Sequence, residues 1–348
     1  MQKPYESRGL PRRVASATHV FVGVLAATIG LIFFVACSKV PPLPALEAPD
    51  GRFFPALASA HYTQLASLGP RTPASEAESL ARTYLARALR KTGAEIENLA
   101  GEGGLRHVIA TLPGRSPDRL LVVAPWPVTG GRAGLDDAGA AVALELARAA
   151  STRPPGIYGL VVAFAEVRAE EAPSVAETAS PGDGWTPAEA RARVRRAGED
   201  LVQQLVERGS FERIRGALVL EPRADGPTRI ARDLRSHPVF RSIFWRVADD
   251  LGLASLFPDE ATWSSPIGLQ GALHTAGFGA VLALVDERAS APAFAAVPAR
   301  LPAPAGPEVA AEAAPEDWAR VGLVADEGLA RWMRRLERVD AFAPGVVD

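Results

Sequence analysis

"VVAPWPVTGGRAGLDDAGAAVALELA", residues 122–147, decides the fold. An apolar run ends among prolines, a glycine-rich loop follows, two adjacent acids close the loop, and a helix of small and aliphatic residues begins near Ala138. A strand with apolar residues at successive positions is buried on both faces, and a short loop leading from it into a helix starts a crossover to a parallel neighbour. Asp136 and Asp137 then stand beyond the carboxyl end of that strand, where open α/β sheets place their functional crevice.

The flanking sequence repeats the pattern. "HVIATLPG" (107–114), "RLLVVAPW" (119–126), "YGLVVAFAE" (158–166), "GALVLE" (216–221) and "GAVLALVD" (279–286) are short apolar runs and read as strands. "TPASEAESLARTYLARALRKTG" (72–93) sets Leu80, Tyr84, Leu85 and Leu89 near helical spacing, starts from a capping Thr/Ser region and stops at Gly93. Helices are also expected over 138–150, 186–208, 237–253 and 315–339. This alternation predicts the α/β class: a three-layer αβα sandwich around a mixed, mostly parallel sheet. Residues 289–315 form an Ala/Pro-rich low-complexity loop, and no internal repeat is present.

With 348 residues, 48% of them hydrophobic, and a net charge of -2, the chain suits one good-sized domain plus extensions. That charge excludes the basic footprint of a nucleic-acid binder. Arginine alternates with acids, which marks solvated helix faces. The single cysteine, Cys37, excludes an intrachain disulfide and a multi-cysteine metal centre. It closes "HVFVGVLAATIGLIFFVAC" (19–37), a run of about 19 apolar residues whose helical length nearly matches a ~30 Å hydrocarbon core.

Arg12 and Arg13 precede this run, so residues 1–18 read as a cytoplasmic segment and the main domain as extracytoplasmic, or periplasmic. Two readings of 19–37 stay open: an uncleaved transmembrane anchor, or a lipoprotein signal in which Cys37 carries the lipid. Val35, Ala36 and Cys37 resemble a lipobox, with Phe34 where leucine is usual. The proline-rich stretch 38–55 reads as a semi-rigid spacer, and 56–343 as the domain.

Six stretches in order resemble the M28 family of zinc aminopeptidases, to which glutaminyl cyclases are related. "LGPRTPASEAESLARTYLARALRKTGAEI" is similar to the opening helix after a Gly-Pro-Arg, and "HVIATLPG" to N-V-I-A-x-L-P-G. "GLDDAGAAVALELARA" resembles A-N-D-D-A-S-G-x-A-x-x-L-E-L-A-R, and "GALVLEPRAD" a strand ending in L-D-M. "LQGALHTAGFGAVLALV" resembles D-H-x-P-F-x-x-x-G-I-P-A-V-x-L, and "PEDWARVG" the start of the last helix. The resemblance implies two zinc ions, a bridging aspartate, histidines at two other strand ends, further carboxylates and a glutamate acting as general base.

Carried over by position, the bridging aspartate falls on Asp136. The first histidine falls on Pro125 of "APWP", with Pro127 at the following acid. A strand expected to end F-D-G-E-E reads "FAEVRAEE", which leaves Glu166 as the nearest carboxylate and the candidate catalytic residue, with Glu170 and Glu171 beyond it. The later aspartate becomes Glu221 and the last histidine Gln270; a shifted alignment would bring in His274 instead.

Proline has no side-chain donor, and a carboxamide is a poor zinc ligand. Asp136, Glu166 and Glu221 would offer oxygen alone, a set suited to calcium or magnesium. Clustered acids also repel, so one is expected to be protonated or paired with Arg132, Arg168 or Arg223. Asp136 has a reading without metal, as a cap for the helix starting near Ala138. Trp126, Asp137 and His274 are expected at the cleft, while His19, His61, His107 and His237 read as surface or capping residues.

No G-x-S-x-G elbow is present, and "WSSPIG" (263–268) has no histidine near it except His274. "GEGGLRH" (101–107) precedes a strand without joining it to a helix, which argues against dinucleotide binding. The expectation is therefore a membrane-tethered, peptidase-like protein without catalysis or cofactor, whose cleft binds a peptide, a protein terminus or an envelope component. The alternatives are a zinc-dependent aminopeptidase or cyclase with a rearranged site, and a structural envelope protein whose cleft is filled by Trp126.

Overall fold

Six strands share one sheet in the computed structural model, which describes residues 40–129, 137–168, 187–262, 268–290 and 316–342, together with 21–22, 24–25 and 28–29. In chain order they are β1 (Glu95–Ala100), β2 (Arg106–Leu112), β3 (Arg119–Val128), β4 (Gly159–Arg168), β5 (Ile214–Glu221) and β8 (Val281–Val285). Two further short strands, β6 (Arg232–Asp233) and β7 (Ala261–Thr262), pair separately. The sheet order is β1-β2-β4-β3-β5-β8. Pairings β3/β4, β3/β5 and β5/β8 are parallel, while β1/β2 and β2/β4 are antiparallel, so the mixed, mostly parallel sheet is as expected. Strand β1 was not legible in the sequence because only Leu99 of "EIENLA" is buried.

The chain divides into two compact units, Met1–Pro41 and Pro42–Asp348. In the first, the apolar run 19–37 lies mostly outside the described residues, and Cys37 wholly so. No helix among the described residues is long and apolar enough to cross a membrane. The sheet and its helices belong to the second unit.

The helices are α1 (Pro55–Ser67), α2 (Glu76–Lys91), α3 (Ala138–Ser151), α4 (Pro187–Glu207), α5 (Pro238–Asp250), α6 (Leu269–Thr275) and α7 (Asp317–Phe342). Helix α2 starts from a capping box. The Ser75 hydroxyl accepts the Glu78 N–H at 3.2 Å, and the Glu78 carboxylate accepts the Ala74 N–H at 2.6 Å.

Strand alternation sorts the core into two layers. Leu121, Val123, Val161, Ala163 and Val219 face α4 and α6, meeting Val194, Ala197, Leu201, Leu269 and Leu273. Leu120, Val122 and Ala124 have the opposite parity and face α3. Here Gly139 lies so close to the sheet that a Cβ would stand 2.4 Å from the Leu220 carbonyl oxygen. A larger residue in the "DDAGAAVALELA" helix would push α3 off the strands.

The end of the proline-rich stretch is docked on the domain. Phe53 is buried and donates its N–H to Asp326 at 3.1 Å, while the Phe54 N–H reaches Glu145 at 2.8 Å. Gly51 is held from both sides, donating to the Thr152 hydroxyl at 2.7 Å and accepting from Arg153 Nε at 2.7 Å. Residues 49–54 therefore bind the last turn of α3 and the first half of α7, whereas the sequence reads them as part of a spacer.

Candidate functional site

The connection from β3 runs to β4 on one side of it, and the next, from β4, passes β3 to reach β5 on the other. The switch point, where α/β sheets open a crevice, thus lies between β3 and β5. Pairing of β3 with β4 runs to Val128↔Arg168, but pairing with β5 stops at Val123↔Val219. Pro125 and Pro127 share one parity, so the two donors they lack fall on one side of the strand. The early end of the β5 ladder identifies that side, and the strands part at the switch point.

Glu221 closes β5 on the lip facing Pro125. Its parity with Val219 points it toward α4 and α6. Gly268, with φ 98°, begins α6 directly above it, and a Cβ there would stand 3.3 Å from the Glu221 carboxylate. Burial pushes the Glu221 carboxyl up to about 7, opposed only by the Leu269 N–H at 3.5 Å. Among the described residues no guanidinium pairs with it. Ala165 stands beside Pro125 on the β4 side of this row, and Val285 beside Glu221 on the β8 side.

Glu166 belongs to the opposite face. It has the parity of Phe164 and Val162 and is fully buried. Its carboxylate accepts Arg168 Nε at 2.9 Å and Nη2 at 2.7 Å, and the Arg106 N–H at 2.6 Å. Arg168 also reaches Glu78 at 3.8 Å, and Glu78 pairs with Arg82. Burial raises the Glu166 carboxyl above the ordinary carboxylate range, with Arg168 opposing. The pairing expected with Arg168 is present, whereas Arg223 is engaged with Asp225 at 2.9 Å. The structure thus separates Glu166 from Glu221 by the thickness of the sheet. Position by position, the two glutamates of F-D-G-E-E fall on Val167, packed in the α4 layer, and Arg168.

Asp137 is buried at the N-cap position of α3, yet its side chain does not cap the helix. It pairs instead with Arg71 at 2.5 Å, from the Gly-Pro-Arg ahead of α2. Trp126 is completely enclosed, and its indole N–H has no partner. Gln270 is buried, its amide donating to the Ser236 hydroxyl at 3.3 Å; that oxygen also accepts the Ala283 N–H of edge strand β8 at 3.1 Å. His274 sits half-buried in the last turn of α6 with an unpartnered Nε2. Asp136, Arg132, Glu170, Glu171 and residues 263–267 lie outside the described residues.

Two histidines differ from their sequence reading. His61 is buried in α1, with its Nδ1 2.7 Å from the Tyr84 hydroxyl; burial first, then the charges of Arg148 and Lys91, bring its pKa down to about 3. His107 is fully buried in β2, where its Nδ1 accepts the Glu166 N–H at 3.0 Å and its Nε2 donates to Asp200 at 2.7 Å. Asp200 also takes the Glu102 N–H at 2.7 Å. Although burial opposes its charge, these bonds hold the Asp200 carboxyl below its usual range. Both imidazoles are bonded inside the domain, and His107 stands on β2, two strands from β3 in the sheet order. His237 begins α5 as expected, stacked on Phe240.

The described residues at the switch point do not make a zinc donor set, Asp136 lying outside them. Proline and valine supply nothing, the Gln270 amide is committed to Ser236, and Glu221 is a single oxygen donor. Among the described residues, no three His, Cys, Asp or Glu side chains group where a metal ion could be held.

No family model matches the sequence, and no curated protein does. Solved structures do match its fold. A Porphyromonas gingivalis glutaminyl cyclase is 14% identical, with a TM-score of 0.57 over 80% of this chain and 99% of its own. A leucine aminopeptidase precursor from Bacteroides thetaiotaomicron is 15% identical, at 0.56 over 81% and 98%. A zinc-dependent exopeptidase from Parabacteroides distasonis is 16% identical, at 0.54 over 82% and 99%. The chain therefore has the fold shared by zinc-dependent exopeptidases and glutaminyl cyclases, and the likeness is one of fold alone.

Proposed function

We propose that this protein is a membrane-tethered, extracytoplasmic binding protein without peptidase activity, whose switch-point crevice recognises the free amino terminus of a peptide or protein. The observation that carries the reading is Glu221: a carboxyl at the parted strand ends, with no cation paired to it among the described residues and its pKa raised to about 7 by burial. An incoming ammonium group would supply the missing counter-charge and draw the carboxyl into its ionised form, so binding would release a proton near neutral pH. Donor chemistry supports the absence of catalysis, since the positions aligned with the two zinc-binding histidines hold Pro125 and a Gln270 that donates to Ser236. The apolar run 19–37 supports the tether, as anchor or as lipoprotein signal.

The test compares short peptides carrying free or acetylated amino termini, by calorimetry at pH 7.5 and 5.5. Free termini should bind at least tenfold more tightly at the higher pH, and Glu221→Gln should erase the difference. Equal binding of both forms to the native chain would refute the reading. Stoichiometric zinc, with hydrolysis of aminoacyl-arylamides lost on Asp136→Ala, would establish the enzymatic alternative instead.

A further inference from the structure

At the end of the sheet opposite the crevice, α5 and the second half of α7 enclose a groove of about 650 Å³. Arg331, Arg334, Arg335 and Arg338 line it from α7 and Arg246 from α5, over a floor that includes Val239 and Ile243. Among the described residues two acids answer these five guanidinium groups: Arg331 binds Glu327 at 2.9 Å and Asp250 at 2.6 Å, and Arg334 shares Glu327 at 3.2 Å. Arg246, Arg335 and Arg338 are exposed and form no ion pair with a described residue. The groove is positive, open and partly apolar at its base.

Its place in the fold is fixed by contacts at the amino ends of the strands. Glu337 accepts the Ile157 N–H at 3.2 Å just ahead of β4, Trp332 covers Gly216 near the start of β5, and the His237 N–H meets Val281 at the first residue of β8. The docked segment 49–54 enters at the same end, on Thr152 and Arg153 where α3 finishes. Eleven residues lie between Cys37 and Pro49, and a chain that short reaches no more than about 40 Å. The groove and the docked segment 49–54 thus share one end of the domain.

We infer that the arginine groove docks the anionic headgroups of acidic phospholipids in the membrane to which the chain is tethered. Guanidinium groups pair with phosphate in two-point contacts, and Val239 and Ile243 offer an apolar base beneath the headgroup. Docking would fix the domain's orientation and hold the crevice toward the compartment it serves. The orientation rests on the tether proposed above; the groove's affinity for acidic lipid does not.

The full chain is reconstituted with phosphatidylcholine vesicles, with or without phosphatidylglycerol, and amide exchange is followed over 238–250 and 331–342. Exchange should slow only with phosphatidylglycerol, and high salt or Arg334→Glu/Arg335→Glu/Arg338→Glu should restore it. Equal exchange in both vesicles overturns the inference, as does protection by soluble poly-glutamate without protection by phosphatidylglycerol. If the chain does not float with phosphatidylcholine alone, the tether has failed, and the groove is judged by binding to phosphatidylglycerol vesicles. That binding should weaken at least about a hundredfold in the triple variant, from three cations lost near the surface and three acids put in their place; its absence in the native chain sinks the inference.

Discussion

The two faces of the sheet's carboxyl end treat their acids in opposite ways. On the α2 and α3 side, Glu166 is met by Arg168, Glu78 by Arg82 and Asp137 by Arg71. On the α4 and α6 side, Glu221 has one distant backbone N–H. The paired acids are committed to the fold, because removing either partner strands a charge in a low-dielectric interior. The lone acid gives the fold nothing at neutral pH, which leaves it available to a ligand.

The largest effect expected from this contrast is at Arg168. Arg168→Ala leaves Glu166 buried without its cation and should cost about 3–5 kcal/mol in urea unfolding at pH 7. A cost below 1 kcal/mol would mean that the paired side is not structural. Arg71→Ala should cost less, about 2 kcal/mol, because the stranded Asp137 still lies at the positive end of α3. Restoring the pair in reversed order, Arg71→Asp with Asp137→Arg, should recover little, since a cation would then face the helix amides.

At Glu221 the sign reverses. Folding raises this carboxyl from 4.5 to about 7, so the native state keeps a proton that the unfolded chain has released between those values. Its contribution is complete below pH 4.5 and is lost as pH rises through 7. Glu221→Gln removes that loss, and the variant should be about 2 kcal/mol more stable than the native chain at pH 8 and nearly equal to it at pH 4. A destabilised variant at pH 8 would show that Glu221 has a partner after all.

The smallest effect belongs to His61. Its pKa falls from 6.5 to about 3 on folding, so the stability it contributes is present above pH 6.5 and lost as pH drops toward 3. His61→Gln, which can still accept from Tyr84, should cost about 1 kcal/mol at pH 7 and flatten the acid limb of the stability curve. An unchanged acid limb would place the titration elsewhere.

The fold was legible because apolar runs and helical spacing are local signals. The "VVAPW" and "VVAFAE" runs gave the central strands, and Leu80, Tyr84, Leu85 and Leu89 gave α2. The site was only half legible. Pro125 and Gln270 were legible as the positions where the family resemblance expects histidines, but parity and neighbours in three dimensions were needed to turn Glu166 away from Glu221. Arg71 stood in the quoted Gly-Pro-Arg, yet its partner Asp137 lies 66 residues away. His107 carried no sign of Asp200, which comes from α4. The groove did leave a trace: Arg331, Arg334, Arg335 and Arg338 recur at one-face helical spacing and read as an ordinary solvated face until Arg246 is seen across from them.

The most direct test of a crevice that binds through a lone carboxyl without zinc is the metal content of the full-length chain. It would be measured after equilibration with zinc and gel filtration, beside Glu221→Gln and Gln270→Ala. We expect well under one zinc per chain, the same in all three. One or two tightly held ions in the native protein, lost on either substitution, would contradict the account.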